Sequence, residues 1–194
     1  VVFNHGIASG DPQTKKVIIW TRVSPDNPGP VPVRWIVSRN RELTDVVKTG
    51  VAETTEARDS TVKVDVTGLR PGAPYFYGFR AGAAESAVGK TRTLPQGQLD
   101  ELKFAVVSCA SFPHGFFNAY EALAERDDID AVIHLGDYIY EYGLAGYGGD
   151  VATRLGRIPS PEVECIRLND YRARHAPYKT EREIQASHAI APWI

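Results

Sequence analysis

Two short segments hold side chains able to bind a metal: Val107-Ser108-Cys109-Ala110-Ser111 and His134-Leu135-Gly136-Asp137-Tyr138-Ile139-Tyr140. Each follows or closes a continuous apolar run, Phe104 to Ser108 and Ala131 to Leu135, of the kind that forms a parallel strand buried on both faces. In open parallel sheets, ligands bind beyond the carboxyl ends of the strands, and neighbouring strands lie ~4.8 Å apart. Cys109 and Asp137, placed at two such ends, can therefore converge on one ion. Tyr140 returns to the same point if the loop after Asp137 curls as one helical turn. A thiolate, a carboxylate and a phenolate are three anionic donors, a set suited to a strongly Lewis-acidic trivalent ion such as ferric iron rather than zinc. Asp137 keeps a second oxygen that can bridge to a neighbouring divalent ion. Paired metals would clamp a phosphoryl group and activate a water as nucleophile, so no protein nucleophile is required.

Each of these residues also has an ordinary role. A cysteine after a strand is commonly a small buried apolar residue, Gly-Asp is a common turn, and a tyrosine three residues on is commonly a core aromatic. Their joint placement at two strand ends is what points to a metal. His114, in the loop after Cys109, could face the same pocket. Arg154 and Arg157 flank the Gly-rich stretch from Tyr142 to Gly156 and could cover a phosphate, or they are solvated loop charges. His134, inside an apolar strand, reads as a core residue. His5, His175 and His188 have no partner pattern and read as structural or exposed, and Cys165 reads as a buried thiol.

The elements that must carry these side chains change character along the chain. Val17 to Val23, then Val31 to Val37, then Val62, Val64 and Val66 alternating with polar neighbours, are strands separated by turn residues such as Ser24-Pro25-Asp26-Asn27-Pro28-Gly29-Pro30. Leu69, Pro71 and Tyr75 fall where a β-sandwich turns from one sheet to the other, and a tyrosine there can bond back to the corner. Residues 1–95 are expected to form a fibronectin-III-like sandwich. A polar joint from Thr93 to Asp100 follows, and residues 101–194 begin with a strand, a helix and a second strand. Phe116, Phe117, Tyr120, Leu123 and Ala124 mark the helix, with Asn118 as its cap and Glu121 as the cap's partner. This is a βαβ unit with a right-handed crossover. Thr180-x-x-Glu183 predicts a capping box opening a helix through Ile184 and His188, and Trp193-Ile194 the start of a third parallel strand. Two parallel strands are not a domain, so the second half is expected to open a larger α/β domain.

The composition excludes several classes. Of 194 residues, 43% are hydrophobic and 24% charged, which is globular rather than disordered. The formal charge of −2 argues against nucleic-acid binding through a basic patch, and no apolar run reaches the ~20 residues of a membrane span. Two cysteines do not make a disulfide framework. No methionine is present, even at position 1, as expected if an export signal has been removed.

The segments Phe3-Asn4-His5-Gly6-Ile7-Ala8-Ser9-Gly10-Asp11-Pro12 and Ile19-Trp20-Thr21-Arg22 resemble the amino-terminal domain of PhoD-type alkaline phosphatases. The segments around Cys109 and from His134 to Gly143 resemble that family's first two metal motifs, and Asp170-Tyr171-Arg172-Ala173-Arg174 and Pro192-Trp193-Ile194 also match. The resemblance implies a multidomain β plus α/β protein, the sandwich followed by the first part of a metallophosphoesterase (calcineurin-like) α/β domain. It implies exported phosphomonoesterases and phosphodiesterases with ferric iron and calcium, phospholipase D-like members among them. By motif, Cys109, Asp137 and Tyr140 carry over as iron ligands, with Asp137 bridging to calcium. The family's Asp-Asp-His-Glu motif and its later His and Asn ligands are absent here, so a carboxyl-terminal piece of the same precursor is the expected partner and the chain alone is expected to be inactive. Purple acid phosphatases share the sandwich and the Gly-Asp-x-x-Tyr pattern but carry aspartate where this chain has Cys109. An inactive sandwich binding module is the non-enzymatic alternative.

Overall fold

A computed structural model describes residues 1–194. Eight strands come first: β1 (Ile7–Gly10), β2 (Lys16–Arg22), β3 (Val31–Ser38), β4 (Val46–Thr54), β5 (Thr61–Thr67), β6 (Pro74–Ala81), β7 (Ala84–Glu85) and β8 (Gly89–Arg92). They pair antiparallel into one sheet ordered β1–β2–β5 and a second ordered β4–β3–β6, with β7 and β8 both joined to β6. Two-residue periodicity sends Val17 and Ile19 of β2, Val62 and Val66 of β5, Val33 and Val37 of β3, and Tyr75, Tyr77 and Phe79 of β6 into one buried cluster between the sheets. The result is a fibronectin-III-like sandwich. At its corner the Tyr75 hydroxyl accepts the Arg70 N–H at 2.9 Å, and Leu69 is buried beside it.

The second half supplies β9 (Phe104–Val107), α1 (Asn118–Ala124), β10 (Ala131–His134), α2 (Gly149–Leu155), α3 (Leu168–Thr180) and α4 (Arg182–His188). β9 and β10 are parallel, with Phe104 opposite Ala131. The chain's last residues add a third parallel step: Val132 N–H donates to Pro192 O at 2.9 Å and Ile194 N–H donates to Val132 O at 2.8 Å. On its other side Trp193 bridges to Gly10, its N–H donating to Ser9 O at 2.8 Å. The sandwich sheet therefore continues into the α/β sheet through Trp193. Gly10 permits the approach, since a Cβ there would lie 2.8 Å from the Trp193 carbonyl oxygen.

Several expectations are corrected. β9 is buried on one face only: Phe104 is 47% and Val106 58% exposed. It forms the outer edge of the sheet, and Ala105 and Val107 alone pack inward toward Leu123 and Trp193. Asn118 is not a cap but the first residue of α1, whose boundary residue Phe117 makes no side-chain capping bond; packing of Phe117, Tyr120 and Leu123 holds the helix instead. The Thr180 capping box does not form. Thr180 ends α3 and its hydroxyl donates to Pro177 O at 2.9 Å, while Glu181, in extended backbone, divides α3 from α4. α2 occupies the later part of the Gly-rich stretch that was read as loop. No helix is long and apolar enough to cross a membrane.

Candidate metal centre

The loops that follow β9 and β10 are fastened to each other. Cys109 N–H donates to Gly136 O at 3.1 Å and Ala110 N–H donates to Asp137 O at 2.9 Å. Cys109 and Asp137 both adopt left-handed backbone, with φ of 58° and 55°. Such conformations cost a non-glycine residue roughly 1–3 kcal/mol and recur at functional sites. The cross-loop bonds hold both turns in that state and aim the two side chains at one point.

There the Cys109 Sγ lies 3.7 Å from Asp137 Oδ2, and the Tyr140 hydroxyl lies 3.4 Å from the same oxygen. The second contact is long for an O–H···O bond. Donor atoms that share one ion at about 2.0–2.3 Å stand roughly 3–3.7 Å apart, a range in which both contacts also fall. Cys109 and Asp137 are exposed and Tyr140 is half-buried, which leaves the point open to solvent. Partial burial first, then the neighbouring thiol and carboxylate, push the Tyr140 phenol well above its ordinary range. Three groups that each bind a cation as anions are thus crowded without a positive side chain between them. Among His, Cys, Asp and Glu alone, no three gather at one point; the third donor is a phenol.

His114 stays near: with Cys109, Ser108 and Phe116 it lines a cavity of about 260 Å³. Its Nδ1 is bonded to the Ser111 hydroxyl at 2.6 Å and its ring packs 4.7 Å from Tyr147. Arg157 does not cover an anion site. It is 8% exposed, its guanidinium lies 3.9 Å over the Phe112 ring, its Nε donates to Phe112 O at 2.8 Å, and its Nη1 pairs with Glu181. Arg154 is exposed on the last turn of α2, a solvated charge. His134 packs on Trp193 and Tyr138 and faces the Tyr120 hydroxyl, as a core histidine does, and burial lowers its pKa. Cys165 is buried, which raises its thiol.

Arg174 was not singled out as a site residue, yet it fixes the loop that carries Tyr140. It is 3% exposed, and its guanidinium donates to the carbonyls of Tyr140 (2.6 Å), Tyr142 (2.7 Å), Ser160 (3.1 Å), Pro161 (2.6 Å) and Val163 (3.2 Å). Every partner is backbone, which leaves no pattern of side chains to find.

Residues 1–95 match the family model described as PhoD-like phosphatase, N-terminal domain, and residues 104–194 match that described as PhoD-like phosphatase. Over 99% of its length the chain is 38% identical to alkaline phosphatase D of Bacillus subtilis (strain 168), of which it spans 34%. It is also similar to the solved structure of PhoD, with a TM-score of 0.90 and 37% identity, covering 99% of this chain and 38% of that one. The chain spans little more than a third of the length of these relatives.

Proposed function

The chain belongs to the PhoD-like phosphatase family, of which it spans an amino-terminal portion, and on that premise we propose that Cys109, Asp137 and Tyr140 are metal ligands of an exported phosphoric-ester hydrolase. One observation carries the reading: thiol and phenol both approach a single carboxylate oxygen, Oδ2 of Asp137, at 3.7 and 3.4 Å. Ferric iron and calcium suit these donors, and when bound they supply Lewis acidity at the phosphoryl oxygens and lower the pKa of a water nucleophile. Cys109, Asp137 and Tyr140 would hold the trivalent ion, and the second oxygen of Asp137 would be available to the divalent one. The left-handed turns at Cys109 and Asp137 and the Arg174 clamp on the Tyr140 carbonyl set these donors before any cation arrives.

The remaining ligands come from the carboxyl-terminal part that the longer relatives possess, so residues 1–194 hold a partial site and are inactive by themselves. That part also decides between phosphomonoesters, phosphodiesters and phospholipids.

The test joins metal analysis to kinetics in the protein with its carboxyl-terminal part. Cys109→Ala removes bound iron and lowers hydrolysis of p-nitrophenyl phosphate at least 100-fold, about 3 kcal/mol of transition-state stabilisation, while circular dichroism stays unchanged. Tyr140→Phe abolishes the visible charge-transfer absorption of a phenolate on ferric iron. Full iron content and activity in Cys109→Ala would refute the assignment.

A further inference from the structure

Away from the metal centre, the outer face of the β1–β2–β5 sheet and helices α3 and α4 enclose a second cleft of about 450 Å³, within the range of small-molecule sites. Trp20 of β2 and Trp193 form apolar walls, and Lys179 enters from α3. Lys179 is only 6% exposed, and its ammonium has no hydrogen-bond or ion-pair partner. Its neighbours are aromatic: Nζ lies 4.9 Å from the centre of the Trp20 ring and 5.6 Å from that of Tyr138.

Cation–π contact compensates an ammonium in part, but three N–H donors remain unused. The cleft's own carboxylates do not supply them. Asp59 gives both oxygens to Arg22, at 2.9 and 3.1 Å, and Asp11, which also lines the cleft, forms no salt bridge with Lys179. The other groups facing the space are Lys63 and the rings of His175 and His188, with His5 behind them against Arg22 at 2.6 Å. His188 is occupied, its Nδ1 bonded to Ile184 O at 2.8 Å and its ring stacked 3.9 Å from that of Trp193. A buried charge is ordinarily paired, and this one faces an open cavity instead.

We propose that this cleft binds a small organic oxyanion, its anionic head on the Lys179 ammonium and its apolar body against Trp20 and Trp193. Burial alone lowers the Lys179 pKa to about 7, and burial first, then neighbouring cations, lower His5 and His175 to about 4. Of Lys179, His5 and His175, the lysine is therefore the one whose charge is available near neutrality, beside the outer cations Arg22 and Lys63, and an anion seated on it raises its pKa. Binding draws on the ammonium form, so it is tighter at pH 6 than at pH 9.

The experiment titrates the full chain with benzoate and, separately, with inorganic phosphate at matched ionic strength. Tryptophan fluorescence reports binding, and acetic anhydride labelling with peptide mass spectrometry reports the reactivity of Lys179. Benzoate is expected to quench saturably, to protect Lys179 at least tenfold against acetylation, and to lose at least tenfold affinity in Lys179→Met. Protection in the unaltered chain is an independent arm should that variant not fold. An affinity unchanged in Lys179→Met, or no protection by either anion, overturns the proposal. Protection by phosphate without protection by benzoate overturns the organic body. Because acetylation is read at residue 179 itself, phosphate bound at the metal centre does not imitate the result.

Discussion

Arg174 shows how a single side chain sets the loop that carries Tyr140 without touching the side chains of Cys109, Asp137 or Tyr140. Its guanidinium is buried among five carbonyl oxygens, one of them that of Tyr140. Removing it leaves buried acceptors unsatisfied, at about 1–3 kcal/mol each where water does not enter. Arg174→Met is therefore expected to lower unfolding stability by about 3–5 kcal/mol, the size seen when one partner of a buried charged network is removed, measured by urea denaturation. Arg174→Lys recovers only part, because an ammonium has three donors and no planar fork. Wild-type stability in Arg174→Met would show the loop to be held by other contacts. The convergence of Cys109, Asp137 and Tyr140 was legible in the sequence because strand ends and a three-residue spacing define where they point. Arg174 was not, since its carbonyl partners lie 11 to 34 residues away and carry no side-chain signature. Arg157 was misread for a related reason: nearby glycines suggested a phosphate loop, whereas its planar cation lies on Phe112.

At the scale of elements, the strands of the sandwich and the helix through Ile184 and His188 were readable, and α2 and α3 were not. A strand between two sheets alternates every second residue, and β2 and β5 keep that alternation in valine and isoleucine. The residues that α3 buries are Arg174, Tyr178 and Lys179, two of them basic, so no apolar stripe marks it. The βαβ unit was legible, and within residues 1–194 β9 lies at the side of the sheet with one face open. The same sheets make two glycines unequal. At Gly89 of β8, a Cβ would lie 2.7 Å from the Tyr77 ring and 2.8 Å from Ile7, both fully buried. At Gly50 of β4 it would meet Trp35, also at 2.7 Å, but that indole is half-exposed and can shift. Overpacking costs about 1–3 kcal/mol where neighbours are fixed. Gly89→Ala is expected near the top of that range and Gly50→Ala below its bottom. Equal losses in thermal melts would mean that the Tyr77 ring yields as easily as Trp35.

Taken whole, the molecule joins its halves twice, by the strand at Trp193 and by a buried group of bases between the sandwich sheet and the helices. His175 of α3 is held neutral, its pKa lowered to about 4 by burial first and then by Lys179, against 6.5 for a free imidazole. Between these values the unfolded chain binds a proton that the folded chain refuses. Stability is therefore complete above pH 6.5 and falls as the pH drops toward 4, by about 3 kcal/mol for the 2.5-unit difference. His5 and His188 shift in the same direction, and so does Lys179, over the higher window from 10.5 down to about 7. None of these four terms opposes another, so their joint contribution rises with pH, the histidines' below 6.5 and the lysine's above 7, while the raised thiol of Cys165 works the other way in alkali. Because the Trp193 strand is hydrogen-bonded to both sheets, protonation at this junction loosens both halves, and acid should unfold them in one transition. His175→Gln removes one titrating group, and the difference between urea midpoints at pH 8 and pH 5 should shrink by the equivalent of about 2 kcal/mol, the part of the one-proton slope of 1.36 kcal/mol per pH unit that lies between pH 6.5 and 5. A pH dependence identical to that of the unaltered chain would mean that His175 already takes up its proton in the folded state, and that the junction is wetter than its packing indicates.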